Sequence, residues 1–147
     1  MTDGDGAAAR PETSCLMLTA RSGPDEHDAL TVRVRREPGY VLIVVAGEVD
    51  YASVDGLRVR LFRLAAVGRP LVADLDRVSF IDAAGLDALA GAARRAAAAG
   101  TSLRVVCARP RIRRLFRVTG LDEAIPLAGT LDEALGMLAS AAKAEAV

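Results

Sequence analysis

The stretch LVADLDRVSFIDAAGLDALAGAARRAAAAG, residues 71–100, decides the fold of this chain. Its first part, residues 71–81, is rich in apolar side chains, several of them β-branched, and predicts a strand. Asp82 stands where a carboxylate caps a helix, and Gly100 stands where a left-handed residue ends one. Between them, apolar residues at helical spacing predict a buried stripe of Leu86, Leu89, Ala90, Ala93 and Ala97. The stretch therefore predicts a strand that leads directly into a long helix, the repeating unit of an α/β fold.

Two strands and a helix are predicted before this stretch. The run LTVRVRRE (residues 30–37) alternates apolar and polar side chains, and YVLIVVAGEVD (residues 40–50) is apolar almost to its acidic end. Because Pro38 and Gly39 favour a turn, these runs predict a hairpin whose second strand is covered on both faces. Ser53 is placed to cap the next helix, whose predicted buried face is Val54, Leu57, Leu61, Leu64 and Ala65.

The elements after residue 100 repeat the alternation of strands and helices. The run SLRVVCA (residues 102–108) predicts a fourth strand, and Pro110 opens a short helix that ends at Val118. The run LDEAIPLA (residues 121–128) predicts a last short strand region. Thr130 then begins the final helix, with Glu133 placed for a capping box.

The predicted element order is ββαβαβαβα. This order predicts one α/β domain with a mixed, mostly parallel sheet and about four helices, in which the opening hairpin supplies an antiparallel edge. We place the domain at residues 30–141. Residues 1–29 are predicted to be a flexible tail, with at most a marginal strand in CLMLTA (residues 15–20), and residues 142–147 a C-terminal tail.

The charge composition argues against nucleic acid and membrane partners. The chain has 147 residues with 19 basic and 19 acidic side chains, and aromatic residues make up only 3%. An arginine cluster in the short helix is expected to be solvated or paired with acidic neighbours: Arg109, Arg111, Arg113, Arg114 and Arg117. The longest apolar run is too short to cross a bilayer, and the N-terminus lacks signal-peptide features. We therefore expect a soluble cytoplasmic protein without direct membrane insertion.

Catalytic and metal sites lack the residues that they need. His27 is the only histidine and lies in the predicted tail, which leaves no Cys/His metal set and no Ser/His/Asp triad. A Gly-rich phosphate loop is also absent. Cys107 ends an apolar run and is expected to be a small buried hydrophobe, while Cys15 lies in the tail. We predict a binding module rather than an enzyme, with no cofactor.

Three segments of the chain resemble the STAS domain and, more narrowly, bacterial anti-sigma factor antagonists. They are AGEVD (residues 46–50), DLDRVSFIDAAGLDAL (residues 74–89) and RPRIRRLFRVTGLDEAIPLAGTLDEAL (residues 109–135). They occur in order between about residues 30 and 138, and the ordered set is specific. The resemblance implies a STAS-like fold, which has the element order predicted above.

The same resemblance implies a partner-switch mechanism. Antagonists of this family dock on an anti-sigma factor, usually of histidine-kinase-type ATPase fold, and so free a sigma factor. The anti-sigma factor phosphorylates a Ser or Thr directly after the aspartate of the D-x-x-G-L motif, which breaks the complex. That position here is Ala83, followed by Ala84, and an alanine methyl cannot accept a phosphate. We expect binding without release by phosphorylation at this position.

Two alternatives to this expectation stay open, one about the phosphate acceptor and one about the partner. Ser79 or Ser53 could be phosphorylated instead, although Ser79 is expected to be partly buried at the end of a central strand. The chain could also be a diverged STAS module with a different partner.

The predicted partner-binding surface lies where the two central strands end. Its residues are Glu48, Asp50, Ser53, Asp82, Ala83, Ala84, Gly85 and Leu86. A simpler interpretation is that Asp82 only caps its helix and Asp50 only ends a strand. Gly85 either lets a partner backbone come close or relieves crowding in the first helical turn.

Two other functions stay open beside the antagonist hypothesis. One is an accessory STAS subunit that docks on the cytoplasmic ATPase of a membrane lipid or anion transporter, for which no phosphate acceptor is needed. The other is a scaffold subunit of a signalling assembly, with residues 1–29 as an assembly arm. The oligomeric state, including a homodimer, is left open.

Overall fold

The computed structural model describes residues 18–20 and 29–146, and it describes the side chains of residues 29–141. Most of the predicted N-terminal tail, including Cys15 and His27, lies outside the described residues. The elements along the chain are β1 Leu18–Ala20, β2 Leu30–Glu37, β3 Tyr40–Val49, α1 Val54–Ala65, β4 Leu71–Ile81, α2 Ala83–Ala98, β5 Leu103–Val106, α3 Pro110–Val118, α4 Leu121–Ala124, β6 Leu127–Ala128 and α5 Leu131–Ala146.

The strands form one sheet in sequential order, from β1 to β6. Strands β1, β2 and β3 pair antiparallel, and β3, β4, β5 and β6 pair parallel. The predicted mixed, mostly parallel α/β fold is confirmed. The hairpin turns at Gly39, which has φ +90° and so needs a residue without a side chain. The marginal strand allowed in CLMLTA is β1, which pairs Leu18 with Val32.

Helices cover both faces of the sheet. The larger core lies between the sheet and helices α1, α2 and α3, and its fully buried side chains include Ile43, Leu61, Leu89 and Phe116. A smaller cluster around Val72 packs against α5 on the other face. A two-sided cover explains why β3 is almost continuously apolar. Within the described residues, no helix is both long enough and apolar enough to cross a membrane.

Several local predictions need correction. LDEAIPLA begins with the short helix α4, so the strand is only Leu127–Ala128, and the described chain has five helices instead of about four. The buried face of α2 is turned by about one residue, with Ala88, Ala92 and Ala96 buried and Ala97 exposed. Alanines occupy every side of this helix, so its sequence pattern had little asymmetry. A further correction, at Ser53, concerns the candidate site.

Candidate functional site

The parallel strands β3 and β4 end side by side at one edge of the sheet. Val49 pairs with Ile81, and the Asp82 N–H donates to the Val49 carbonyl oxygen at 3.1 Å. Asp50 and Asp82 follow these paired strand ends directly, so both lie at this edge. The pairing register shifts after Gly47, which has φ +94°. The glycine of the AGEVD segment is therefore required by the backbone.

The Asp82 carboxylate holds two loops together. Its Oδ1 accepts hydrogen bonds from the N–H groups of Ala84 (2.9 Å) and Gly85 (3.2 Å), which caps α2 as predicted. Its Oδ2 accepts a third bond, from the Tyr51 N–H in the β3–α1 loop at 3.0 Å. A single side chain thus caps a helix and fixes the neighbouring loop.

Asp50 and Ser53 close a tight turn between β3 and α1. The Ser53 N–H donates to Asp50 Oδ1 at 3.0 Å, and the Ser53 hydroxyl lies 3.0 Å from the same oxygen. The hydroxyl also accepts from the Asp50 N–H at 3.1 Å and lies 3.2 Å from the Glu48 carbonyl oxygen. Ser53 occupies the N-cap position of α1, but its side chain makes no capping bond. The prediction that Ser53 caps this helix is wrong, because its hydroxyl is engaged by the turn.

The first turn of α2 divides into exposed and buried residues. Ala83 is exposed and Ala84 is half-buried, whereas Gly85 and Leu86 are buried. A Cβ at Gly85 would lie 2.6 Å from Ile81 Cγ1 and 2.8 Å from Val49 Cγ1. The glycine therefore allows α2 to begin close against the strand ends. The close contact that Gly85 permits is with the core of this chain.

The predicted partner-binding residues fall into two groups by depth. Glu48, Asp50, Asp82 and Ala84 are half-buried and Ala83 is exposed, so these can form part of a surface. Ser53, Gly85 and Leu86 are buried, and they position the surface residues from beneath. The binding of a partner by these eight residues stays a prediction.

Two exposed aromatic side chains at this edge were not predicted. Tyr51 is 83% exposed at the tip of the Asp50–Ser53 turn, and Phe80 is 49% exposed near the end of β4. Strand alternation after the buried Val78 would bury Phe80. However, Val78 pairs with Gly47 and Phe80 with Glu48, so Ser79 is an extra residue in β4. Such a bulge turns the next side chain outward.

The same bulge overturns the expectation that Ser79 is partly buried, because Ser79 is exposed. β5 pairs with β4 only as far as Asp74, so the end of β4 faces α3 across an open groove instead of another strand. The groove has a volume of about 470 Å³ and is lined mainly by apolar side chains, with Arg111 and Arg114 from α3. Val118 also lines it and is 72% exposed.

The arginine cluster of α3 is partly structural. Arg109 Nε donates to the Asp76 carbonyl oxygen at 2.7 Å, and an Arg113 nitrogen donates to the Cys107 carbonyl oxygen at 2.8 Å. These bonds hold the β5–α3 connection. The Cys107 thiol beneath it is fully buried, as predicted, and burial raises its pKa; the nearby Asp76 charge also raises it, while a backbone hydrogen bond at Arg109 lowers it.

The sequence of this chain matches a known protein family. The family model for the STAS domain matches residues 31–134. The anti-sigma-B factor antagonist of Bacillus subtilis (strain 168) is 33% identical over 98 residues, which are 67% of this chain and 90% of that protein.

Solved structures agree with the sequence comparison. The crystal structure of an anti-sigma factor antagonist from Mycobacterium paratuberculosis superposes with a TM-score of 0.69 and 33% identity, covering 80% of this chain and 97% of that one. The unphosphorylated form of the anti-sigma factor antagonist SpoIIAA has a TM-score of 0.62 at 22% identity, covering 74% of this chain and 96% of that one. The second similarity supports the fold alone.

Proposed function

Because the chain belongs to the STAS domain family and its relatives include anti-sigma factor antagonists, we propose that it binds an anti-sigma factor and so releases a sigma factor in the cytoplasm. The partner is proposed to have a histidine-kinase-type ATPase fold. The role is binding rather than catalysis, since the site consists of caps, a turn and exposed apolar side chains.

The observation that carries the proposal is the exposed position of Ala83 at the edge where β3 and β4 end. A methyl group at the first position of α2 leaves room for a protein surface to lie over the helix N-terminus. Tyr51 and Phe80 lie at the same edge and supply exposed aromatic area, which is frequent in the energetically important centres of protein interfaces. Asp50 and Asp82 supply polar groups beside them.

We further propose that Ala83 occupies the phosphoacceptor position, so that phosphorylation there cannot release the partner. Ala83 directly follows the capping Asp82, at a helix N-terminus whose dipole would favour a negatively charged phosphate. Since alanine carries no hydroxyl group, release would depend on partner concentration or on another site. Exposure of Ser79 makes it a better alternative acceptor than the buried Ser53.

The transporter and scaffold alternatives have less support. A STAS-like fold also occurs in the murine anion transporter Slc26a9, but at 16% identity this likeness concerns the fold alone. The two relatives at 33% identity are both named antagonists.

The test is to measure the affinity of the full chain for the purified anti-sigma factors of its own cell by isothermal titration calorimetry. Ala83→Glu places charge and bulk at the proposed contact, and Ala97→Glu makes the same change at an exposed position near the other end of α2. We expect Ala83→Glu to weaken binding at least 100-fold and Ala97→Glu to leave it unchanged. Equal effects of the two variants, or co-purification with a transporter ATPase and no anti-sigma factor, would overturn the proposal.

A further inference from the structure

A second cavity lies at the opposite edge of the sheet from Asp82, where β4 and β5 begin. Its volume is about 320 Å³. Four segments line it: the α1–β4 loop, the α2–β5 loop, strand β5 and helix α5. The residues that matter are Gly68, Gly100, Thr101, Ser102, Arg104 and Leu138.

Arg104 is the charged residue of this cavity, and it is only 9% exposed. One terminal guanidinium nitrogen donates to the Ser102 hydroxyl oxygen, while Nε is buried without an acceptor. Of the side chains that the structure describes, those of residues 29–141, no acidic one lines the cavity. Within the part of the chain that the structure describes, Arg104 forms no ion pair.

A buried cation without an anion is energetically unfavourable. Removing a charged group from water is unfavourable, and an unpaired buried donor adds to that cost. Burial also lowers the pKa of Arg104, although a guanidinium retains its charge near neutral pH. Among the residues whose side chains the structure describes, this cation beside an open cavity thus has no counter-charge.

The other lining groups suit an anion with a small apolar portion. The Ser102 hydroxyl accepts from Arg104, so its own proton is free to be donated to a ligand oxygen. Thr101, which also carries a hydroxyl group, is another lining residue. Gly68 and Gly100 have φ +91° and +81°, so both loops adopt conformations that favour glycine, and neither adds a side chain to the cavity. Leu138 contributes an apolar wall.

We propose that this cavity binds a small oxyanion, a phosphate monoester or a carboxylate, through the Arg104 guanidinium with the Ser102 and Thr101 hydroxyls as neutral donors. Arginine is suited to this role because its planar group presents parallel N–H donors to two oxygens at once. This site is distinct from the proposed docking surface around Ala83, because it lies at the other end of α2.

The test is an NMR titration of the full chain with potassium phosphate, and separately with sodium acetate, against potassium chloride at matched ionic strength. We expect saturable shifts at the amides of Gly68, Gly100 and Ser102 and at the Arg104 Nε–H. Stronger binding of phosphate identifies a phosphate ester as the ligand class, and stronger binding of acetate identifies a carboxylate. Shifts with chloride alone, or shifts confined to the Asp82 edge, would overturn the site.

Variants separate a bound ligand from a structural role of Arg104. Arg104→Met retains the apolar stem and should weaken anion binding at least tenfold, whereas Arg117→Met, a matched change on the exposed face of α3, should not. If Arg104→Met fails to fold, as judged by circular dichroism, Ser102→Ala serves instead and should weaken binding severalfold. By differential scanning fluorimetry, saturating anion should raise the wild-type Tm by about 3 °C more than that of the variant. Equal shifts would contradict the proposal.

Discussion

The Asp82 carboxylate accepts a hydrogen bond from the Tyr51 N–H at 3.0 Å, across two loops that are 31 residues apart in the chain. The same carboxylate caps α2, so the exposed Tyr51 and the first turn of α2 have a common anchor. The surface between them therefore depends on one side chain.

The first prediction follows from that anchor. Asp82→Ala removes three accepted hydrogen bonds and should lower the free energy of unfolding by about 1–2 kcal/mol, the usual range for loss of a helix cap. Urea denaturation measures this change. Asp87→Ala is the control, because Asp87 is exposed on the same helix. If both variants were equally stable, the anchoring role of Asp82 would be wrong.

The second prediction concerns Gly85. Gly85→Ala places a methyl group against Ile81 and Val49 at distances that require the strand ends or α2 to shift, and we expect a loss of about 1–3 kcal/mol. Gly136→Ala is the matched control, since Gly136 lies in α5 with nothing within 4 Å of an added Cβ. There the same substitution should stabilise by about 0.5–1 kcal/mol. A stabilised Gly85→Ala variant would contradict the close packing.

The sequence predicted the features that depend on neighbouring residues better than those that depend on the pairing of distant segments. The helix start at Asp82 was predictable because a cap acts within a few residues, and the same holds at Thr130, whose hydroxyl accepts from the Glu133 N–H at 3.1 Å. In the capping box at Thr130, the Glu133 carboxylate accepts from the Gly129 N–H, one residue earlier than in the usual pattern.

The features that the sequence could not predict depend on contacts between distant segments. The exposure of Ser79 and Phe80 follows from a bulge that exists only in the pairing of β4 with β3. The role of Gly85 appears only when Val49 lies beside it. Ser53 has the residue type of a cap, and only the turn at Asp50 shows that its hydroxyl is already engaged.

The third prediction tests the aromatic part of the docking surface. Tyr51→Ala and Phe80→Ala should each weaken binding to the anti-sigma factor at least about fivefold, because aromatic side chains at the energetic centre of an interface contribute more than about 1 kcal/mol. Their Tm values should stay near that of the wild type, since neither ring is in the core. Val59→Ala removes from α1 an apolar side chain about as exposed as Phe80 and should leave the affinity unchanged. Unaltered affinity in both aromatic variants would exclude this part of the surface.

The fourth prediction is a pH dependence of stability. The folded chain raises the pKa of the Cys107 thiol, so the folded state holds a proton that the unfolded state releases. The stabilisation is complete below the unfolded pKa, at about 8.5, and is lost as the pH rises through the folded value. In a Cys15→Ser background, the free energy of unfolding should therefore fall more steeply above that pH than in the Cys107→Ala variant. Parallel profiles from urea denaturation would show that Cys107 does not contribute.

The fifth prediction concerns Ala83 and the proposed loss of the phosphate switch. Incubation of the wild type with its anti-sigma factor and radiolabelled ATP should leave the chain unlabelled. Ala83→Ser should gain up to one phosphate per chain, since the hydroxyl would be exposed at the start of α2. The modified variant should then dissociate, because a phosphate carries about −1.5 to −2 charges at neutral pH and would occupy the docking surface.

Ala97→Ser is the matched control for this last experiment, because it adds a hydroxyl at an exposed position of the same helix, away from its N-terminus. It should remain unlabelled. Stoichiometric labelling of the wild type would show that another residue accepts the phosphate, and mapping of the label would distinguish the exposed Ser79 from the buried Ser53. An Ala83→Ser variant that binds the kinase yet gains no label would show that this position is not the phosphoacceptor, while docking at this edge would remain supported by the binding itself.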